Sequence, residues 1–448
     1  MNNNILNKVV FKFEGKNNVN INNILQKEKI DNSFLCNCNL KTYLISNVIK
    51  FEIIKYLGEG IVGKVFLIKL LDNYEEEIQE LKKTEQIYEI LNTNTQIIQE
   101  QKQTNNPENN QEILEKEKIQ QLLEKQENLF TLKISNIDSY YELYEEILLI
   151  QENLNNNDIN IDNYPLYYGD FKNYRSFGII YPFFGIYNLE KIKSLSLLNE
   201  TKINLNYFKN IKIIKQLIIQ LSKLNINNII HCDLKPCNIV INELNNNIKA
   251  TIIDFGLIKN VNNLEPIMST SYITSPESLL TIDKFKNILN KKEIIDYSKS
   301  DYFGLYTIIL QLFLNKSYWK IIHNYLNKFC NYSFSLIDNS QFYIVYAYVW
   351  YKFFYNDYEN IKSVSMKNLI VNIEYKYQFV KTKKYLKFDK FFEYYIISNI
   401  EPKYFEDENY NTDIFSSNLF DFLKSLINFE PKDRPSFIEL LEHPFLNP

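Results

Sequence analysis

Three of the chain's nine glycines fall inside six residues, in the stretch GEGIVGKV at 58–65. Glycine pays the largest backbone entropy on folding, so such a cluster marks a tight turn or a close backbone approach. Phe51 to Leu57 before it reads as a strand, and Val65 to Leu71 (VFLIKLL) after it reads as another. A dinucleotide fingerprint needs a helix after its glycines. A strand there instead means a hairpin. Its tip is either a flap of backbone N–H groups shaped for phosphates or a plain tight turn.

The 448 residues allow two or three units, or one large enzyme fold with insertions. With 45% hydrophobic and 23% charged residues, a wholly disordered chain is excluded. Lys+Arg 50 against Asp+Glu 54 leaves a net charge of −4, which offers no general case for nucleic acid or an anionic membrane as partner. Five cysteines are odd in number and too few to staple the chain, which fits a reducing compartment. The start, MNNNILNKVV, lacks the apolar core of a signal peptide. The longest apolar stretch, Phe303 to Leu314, is too short and mixed to span a bilayer. A soluble, cytoplasmic protein is expected. Arginine occurs only at Arg175 and Arg434, while Asn, Ile, Lys and Tyr dominate. That skew suits an AT-rich genome, of a cellular eukaryote or of a large DNA virus; in the latter case the place is host cytoplasm or virion.

Residues 1–48 form an Asn- and Lys-rich extension whose short apolar stretches, VVFKF and TYLISNVI, are either flexible or add strands to the glycine-tipped hairpin and its neighbours. Residues 72–128 are dominated by Gln, Glu, Lys and Asn and read as an insertion, partly helical and partly disordered. Strand character resumes at Phe130–Ile134, helix at Tyr140–Leu154, and strand at Phe177–Phe184. From about residue 189 the pattern is mostly helical, with a strand pair at 239–242 and 250–253. A strand-rich first part followed by a helix-rich second part predicts a two-lobed α+β enzyme.

Two further motifs carry chemistry. In IIHCDLKPCNIVI, residues 229–241, Asp233, Lys235 and Asn238 lie on a loop running into a strand. A carboxylate accepts a hydroxyl proton, a lysine neutralises a phosphoryl group in transfer, and an amide oxygen completes a metal shell. In TIIDFGLIK, residues 251–259, Asp254 ends an apolar strand. It either opens a simple turn or meets a cation, because a carboxylate at the end of a buried strand is costly alone. Magnesium carrying nucleotide phosphates would satisfy it.

In this order the motifs resemble the eukaryotic protein kinase superfamily over residues 49–447. SPE at 275–277, DYFGLY at 301–306 and PKDRPSFIELLEHPFL near the end stand where that family has comparable segments. The resemblance implies a bilobal kinase fold: an N-terminal antiparallel sheet with helix C over about 49–184, and a larger, mostly helical lobe over about 185–447. It implies that Gly58, Gly60, Gly63 and Val65 cover ATP and that Lys133, paired with Glu146, grips the α- and β-phosphates. Tyr181 would be the gatekeeper, and Phe184 would offer its backbone N–H to the base. Asp233 would be the catalytic base and Lys235 the phosphoryl stabiliser. Asn238 and Asp254 would hold Mg²⁺ or Mn²⁺. Thr270 would bridge Asp233 and Lys235, and Glu277 would pair with Arg434.

Lys82 lies at an ordinary distance after the glycines, but EEEIQELKK has no strand pattern, whereas Lys133 sits in strand-like FTLKIS. Glu146, thirteen residues on, is followed by Ile147, Leu149 and Ile150; Glu145 is its rival. Cys232 replaces the arginine that in many kinases receives an activation-loop phosphate. A similar HCDLKP occurs in dual-specificity tyrosine-regulated kinases, and the insertion is similar to casein-kinase-1-like and vaccinia-related kinases. The D-L-K loop and Thr270 favour protein Ser/Thr acceptors. Ser269, Ser271, Tyr272 and Thr274 are either autophosphorylation sites or ordinary loop hydroxyls. His231 reads as a core histidine beneath Phe255, His443 as structural, and Cys36 with Cys38 lacks the partners for zinc. The competing classes are a pseudokinase scaffold and a small-molecule phosphotransferase.

Overall fold

The computed structural model describes residues 7–13, 48–60, 62–71, 129–135, 139–153, 165, 167–171, 176–197, 203, 205–244, 247–262, 273–281, 295–314, 320–321, 324, 361–377, 388–400 and 412–447. The inserted segment 72–128 with Lys82, the Cys36–Cys38 pair, and Ser269, Thr270, Ser271 and Tyr272 lie outside the described residues. The chain divides into two compact units: Met1–Ile147 with Tyr164–Phe183, and Leu148–Asn163 with Phe184–Pro448. It has an α+β kinase fold.

Unit 1 is built on six strands: β1 (Asn7–Phe13), β2 (Val48–Glu59), β3 (Gly63–Leu71), β4 (Leu129–Ser135), β5 (Tyr167–Phe171) and β6 (Phe177–Pro182). The order β1-β2-β3-β4-β6-β5 closes into a barrel. From β2 to β5 every neighbour is antiparallel. The exception to the expected antiparallel sheet is β1, which pairs parallel with both β2 and β5. An open five-stranded sheet leaves two rows of unpaired backbone groups. The VVFKF stretch covers both, with Val10 opposite Val48 on one side and Asp170 on the other. A parallel pair needs a long crossover, and residues 14–47 supply that length. Strand β6 stops at Pro182, two residues earlier than the apolar run suggests, because proline has no N–H to continue a ladder.

Helix α1 (Tyr140–Asn153) carries buried Leu143, Ile147 and Ile150 at the i, i+4, i+7 spacing of a helix stripe. Leu143 and Ile147 pack with Phe177, Ile179 and Tyr181 of β6.

In unit 2, β7 (Tyr187–Asn188), β9 (Ile239–Leu244) and β10 (Asn247–Ile252) form a sheet in the order β10-β9-β7, and β8 (Ile229–Ile230) pairs with β11 (Lys259–Asn260). Helix α2 is Leu189–Leu197 and α3 is Tyr207–Ile226. Asn206 caps α3 by accepting from the Lys209 N–H at 2.9 Å, satisfying a donor that the helix itself leaves unpaired. At the other end Asn228 takes a positive φ of 58° and turns the chain into β8. Helix α4 (Tyr302–Phe313) is buried along nearly its whole length, as its apolar composition demands. Among the described residues no helix is long and apolar enough to cross a membrane. Helices α5 (Val364–Tyr377), α6 (Thr412–Leu426) and α7 (Phe437–Glu442) complete the unit's main helices. Ser436 and Glu439 close α7 with a reciprocal capping box.

Two glutamines of α3 finish the open edge of β10. Gln216 donates to Ile248 O at 2.9 Å and accepts from Ala250 N at 2.7 Å; Gln220 donates to Ala250 O at 2.9 Å and accepts from Ile252 N at 3.1 Å. Each amide imitates one residue of a neighbouring strand, so helix and sheet are joined by hydrogen bonds as well as by apolar contact. We expect Gln220→Leu to cost about 1–2 kcal/mol in urea unfolding, the penalty of two backbone groups left unmet. Amide exchange at Ile252 should speed up in the same variant.

Candidate active site

The glycine motif forms the tip of the β2–β3 hairpin, where the Gly60 N–H donates to Gly63 O at 2.8 Å. A Cβ on Gly63 would stand 2.0 Å from Ile134 O, so glycine is needed for β3 to approach β4. Gly58 differs: a Cβ there would meet nothing within 4 Å, and at Gly60 only Gly63 O at 4.0 Å. Protein packing does not explain those two, whereas room for a ligand against the backbone does. Val65 pairs across the sheet with Lys133 of β4.

Lys133 Nζ lies 2.6 Å from Glu146 Oε2. Glu146 is buried, while Glu142 and Glu145 on the same helix are exposed. The other oxygen, Oε1, accepts from the Tyr181 hydroxyl at 2.6 Å. That hydroxyl contact had no signal in the sequence, because it depends on which strand stands beside β4.

In unit 2 the 231–238 loop is held from below. Asp301, at the start of α4, accepts from the backbone N–H groups of His231 at 2.7 Å and Cys232 at 2.9 Å. This holds Cys232 at φ 66°, a left-handed conformation costly for a residue with a side chain. Burial pushes the Asp301 carboxyl up, while the His231 side chain and the two N–H donors pull it back. Gly304 lets α4 come close, since a Cβ there would stand 2.3 Å from Leu234 O.

Past that strained residue, Asp233, Lys235 and Asn238 converge. Lys235 Nζ is 2.7 Å from Asp233 Oδ2. The Asn238 amide donates to Asp233 O at 2.9 Å and to Asp233 Oδ2 at 3.2 Å. Burial alone lowers the Lys235 pKa, but the hydrogen bond and charge of Asp233 outweigh it and the net direction is up. Lys235 is therefore a firm cation at neutral pH. Burial raises Cys237 to about 11, so it stays a thiol beside this cluster.

The Asp254 segment is tied to the same loop. Ile253 N donates to Asn238 O at 2.9 Å, and Ile253 O lies 3.1 Å from His231 Nε2. His231 Nδ1 accepts from Asp233 N at 3.3 Å, which puts the imidazole proton on Nε2. The His231 and Phe255 rings are 5.2 Å apart, so the histidine is a buried bracket between the two motifs. Asp254 itself has φ 68°. Because the Asn238 nitrogen donates to Asp233, its Oδ1 is the acceptor face. An amide oxygen and a carboxylate are the hard donors that Mg²⁺ takes, with nucleotide phosphates completing the shell. Among the described residues no group of three or more His, Cys, Asp or Glu side chains is placed to hold a metal without such help.

Glu277 and Arg434 form a fully buried pair, with bonds of 2.6 and 2.8 Å from the two guanidinium ends. The guanidinium also donates to Asn428 O at 2.8 Å, Lys299 O at 3.0 Å and Phe429 O at 3.4 Å. A lysine has neither the fork nor the donors for this. Cys232 packs with Ile230, Tyr297, Val261 and Ile295 in an apolar cluster, where its thiol is held protonated chiefly by burial. Phe184 lies just past β6, and Lys249 Nζ stands 5.6 Å over its ring. His443 lies 3.3 Å from Asp421 and stacks edge-on against Phe422. The acceptor role of Asp301 went unread, although an acid heading an apolar helix is its signal. We expect Glu277→Ala, which strands Arg434 as a buried unpaired cation, to lose about 3–5 kcal/mol in denaturant unfolding. Arg434→Lys should recover only part of that loss.

A comparison with curated proteins finds no match. The family model described as Protein kinase domain matches residues 51–446 and so spans both units. The chain belongs to the protein kinase family.

Proposed function

We propose that this protein is an active serine/threonine protein kinase that transfers the γ-phosphoryl group of Mg·ATP to protein hydroxyls. The observation that carries this is the contact set of Asp233, Lys235 and Asn238 on one braced loop. Asp233 orients the acceptor hydroxyl and takes its proton as oxygen attacks the γ-phosphorus and the bond to the β-phosphate oxygen breaks, releasing ADP. Lys235, charged at neutral pH, offsets the negative charge on the group in transfer. Backbone N–H groups around Gly58, Gly60 and Gly63, flanked by Val65, cover the phosphates, and Lys133, held by Glu146, grips them. Asn238 and Asp254 would hold Mg²⁺ or Mn²⁺, which when bound neutralises phosphate charge. Tyr181 and Phe184 border the base, Phe184 through its backbone N–H.

The D-L-K spacing supports Ser/Thr acceptors, since it sets Lys235 beside Asp233. Thr270 is assigned the bridge to both, and Glu277 with Arg434 anchors the segment that receives the peptide. The kinase domain spans 49–447, with 72–128 inserted. A reducing, cytoplasmic setting suits the free thiols of Cys232 and Cys237.

The test is transfer of labelled γ-phosphate to casein or myelin basic protein, followed by phosphoamino-acid analysis. We expect labelled serine or threonine, reduced about 10²–10⁴-fold by Asp233→Asn, the usual worth of a catalytic base. Asp254→Asn should fall in the same range. Folded wild type that binds ATP without transferring phosphate would replace this function with that of a scaffold. Labelled tyrosine alone would overturn the acceptor assignment.

A further inference from the structure

The contact between Tyr181 and Glu146 gives unit 1 a part beyond the lysine–glutamate pair. Glu146 is 2% exposed, so its carboxylate needs donors for both oxygens. Lys133 serves Oε2 at 2.6 Å and the Tyr181 hydroxyl serves Oε1 at 2.6 Å. The second bond has the short length of a charge-assisted O–H···O⁻ contact.

Strand register explains how the hydroxyl arrives there. Tyr181 of β6 stands opposite Thr131 of β4, and Lys133 is two residues further along β4. Residues two apart share a face, so Tyr181 is the diagonal neighbour of Lys133. A carboxylate descending from α1 therefore meets the ammonium on one side and the phenol on the other. The ring has little freedom, because it is packed with Leu143 and Ile147 of α1 and with Phe177 and Ile179 of β6. Leu143 and Ile147 flank Glu146 on its own helix, so the contacts that fix the ring also fix the carboxylate.

We propose that Tyr181 is a positioning residue for phosphoryl transfer: its hydroxyl fixes the Glu146 carboxylate, which in turn fixes Lys133. This rests on the kinase function proposed above. A residue that merely borders the nucleotide base needs a ring but no hydroxyl.

The test is a double-mutant cycle of wild type, Tyr181→Phe, Glu146→Gln and the double variant, read as KM for ATP and kcat. Tyr181→Phe keeps the ring packing and removes one charge-assisted hydrogen bond, so we expect kcat/KM for ATP to fall about tenfold. The loss should fall mainly on KM, with KM for the protein acceptor unmoved. In the Glu146→Gln background the same change should cost less than about twofold, because the carboxylate through which it acts is gone. Equal costs in both backgrounds would overturn the proposal, as would wild-type kinetics for Tyr181→Phe. A loss confined to kcat with unchanged KM would mean a smaller folded fraction and would also overturn it. Amide exchange along 143–150 gives a reading independent of catalysis. If wild type transfers no phosphate, the kinase function fails, yet faster exchange in Tyr181→Phe would still uphold the hydroxyl as the anchor of Glu146. Unchanged exchange would overturn that anchor.

Discussion

The carboxylate of Asp301 takes the backbone N–H groups of two consecutive residues, His231 and Cys232, at 2.7 and 2.9 Å. The chemistry of unit 2 depends on this clamp. It holds Cys232 in a left-handed conformation, and that twist directs the next residue, Asp233, toward Lys235 and Asn238. His231, locked by the same clamp, reaches Ile253 O and so sets the residue before Asp254. One buried acid thereby positions both the proposed base and a proposed metal ligand. A rigid frame matters because phosphoryl transfer is catalysed mainly by placement and electrostatics.

The same physical solution recurs twice. Glu146 in unit 1 and Glu277 in unit 2 are also buried carboxylates whose two oxygens each have a donor. A buried charge lacking partners costs several kcal/mol, on the order of 3–5 when one partner is removed, so each acid selects one local arrangement over its alternatives. Asp301 fixes a loop, Glu146 a lysine, and Glu277 the end of a segment. Cys232 is the counter-example. Its thiol sits among apolar side chains and keeps its proton, so the loop is braced from within its own backbone and not by a cation at that position.

Much of this was legible in the sequence, because short-range chemistry leaves short-range signals. Period-two apolar runs mark β2, β3 and β4, and the apolar spacing that set Glu146 ahead of Glu145 is the periodicity that buries it. The Glu277–Arg434 pair stood out through the scarcity of arginine. Other features escaped because they join distant residues. VVFKF had the composition of a strand, but nothing local states that it lies parallel to two partners and closes a barrel. Gln216 and Gln220 look like ordinary helix polar residues until β10 lies beside them. Tyr181 appeared as a ring facing a nucleotide, and its hydroxyl found Glu146 only through the register of β6 on β4.

The central claim is that both units serve one Mg²⁺-bound nucleotide. Calorimetric titration of the full chain with ATP, with and without Mg²⁺, tests it most directly. The account predicts one-to-one binding that tightens with Mg²⁺, weakens in Lys133→Met, and loses its Mg²⁺ dependence in Asp254→Asn. Absence of binding, or affinity indifferent to Mg²⁺ in the wild type, would contradict it.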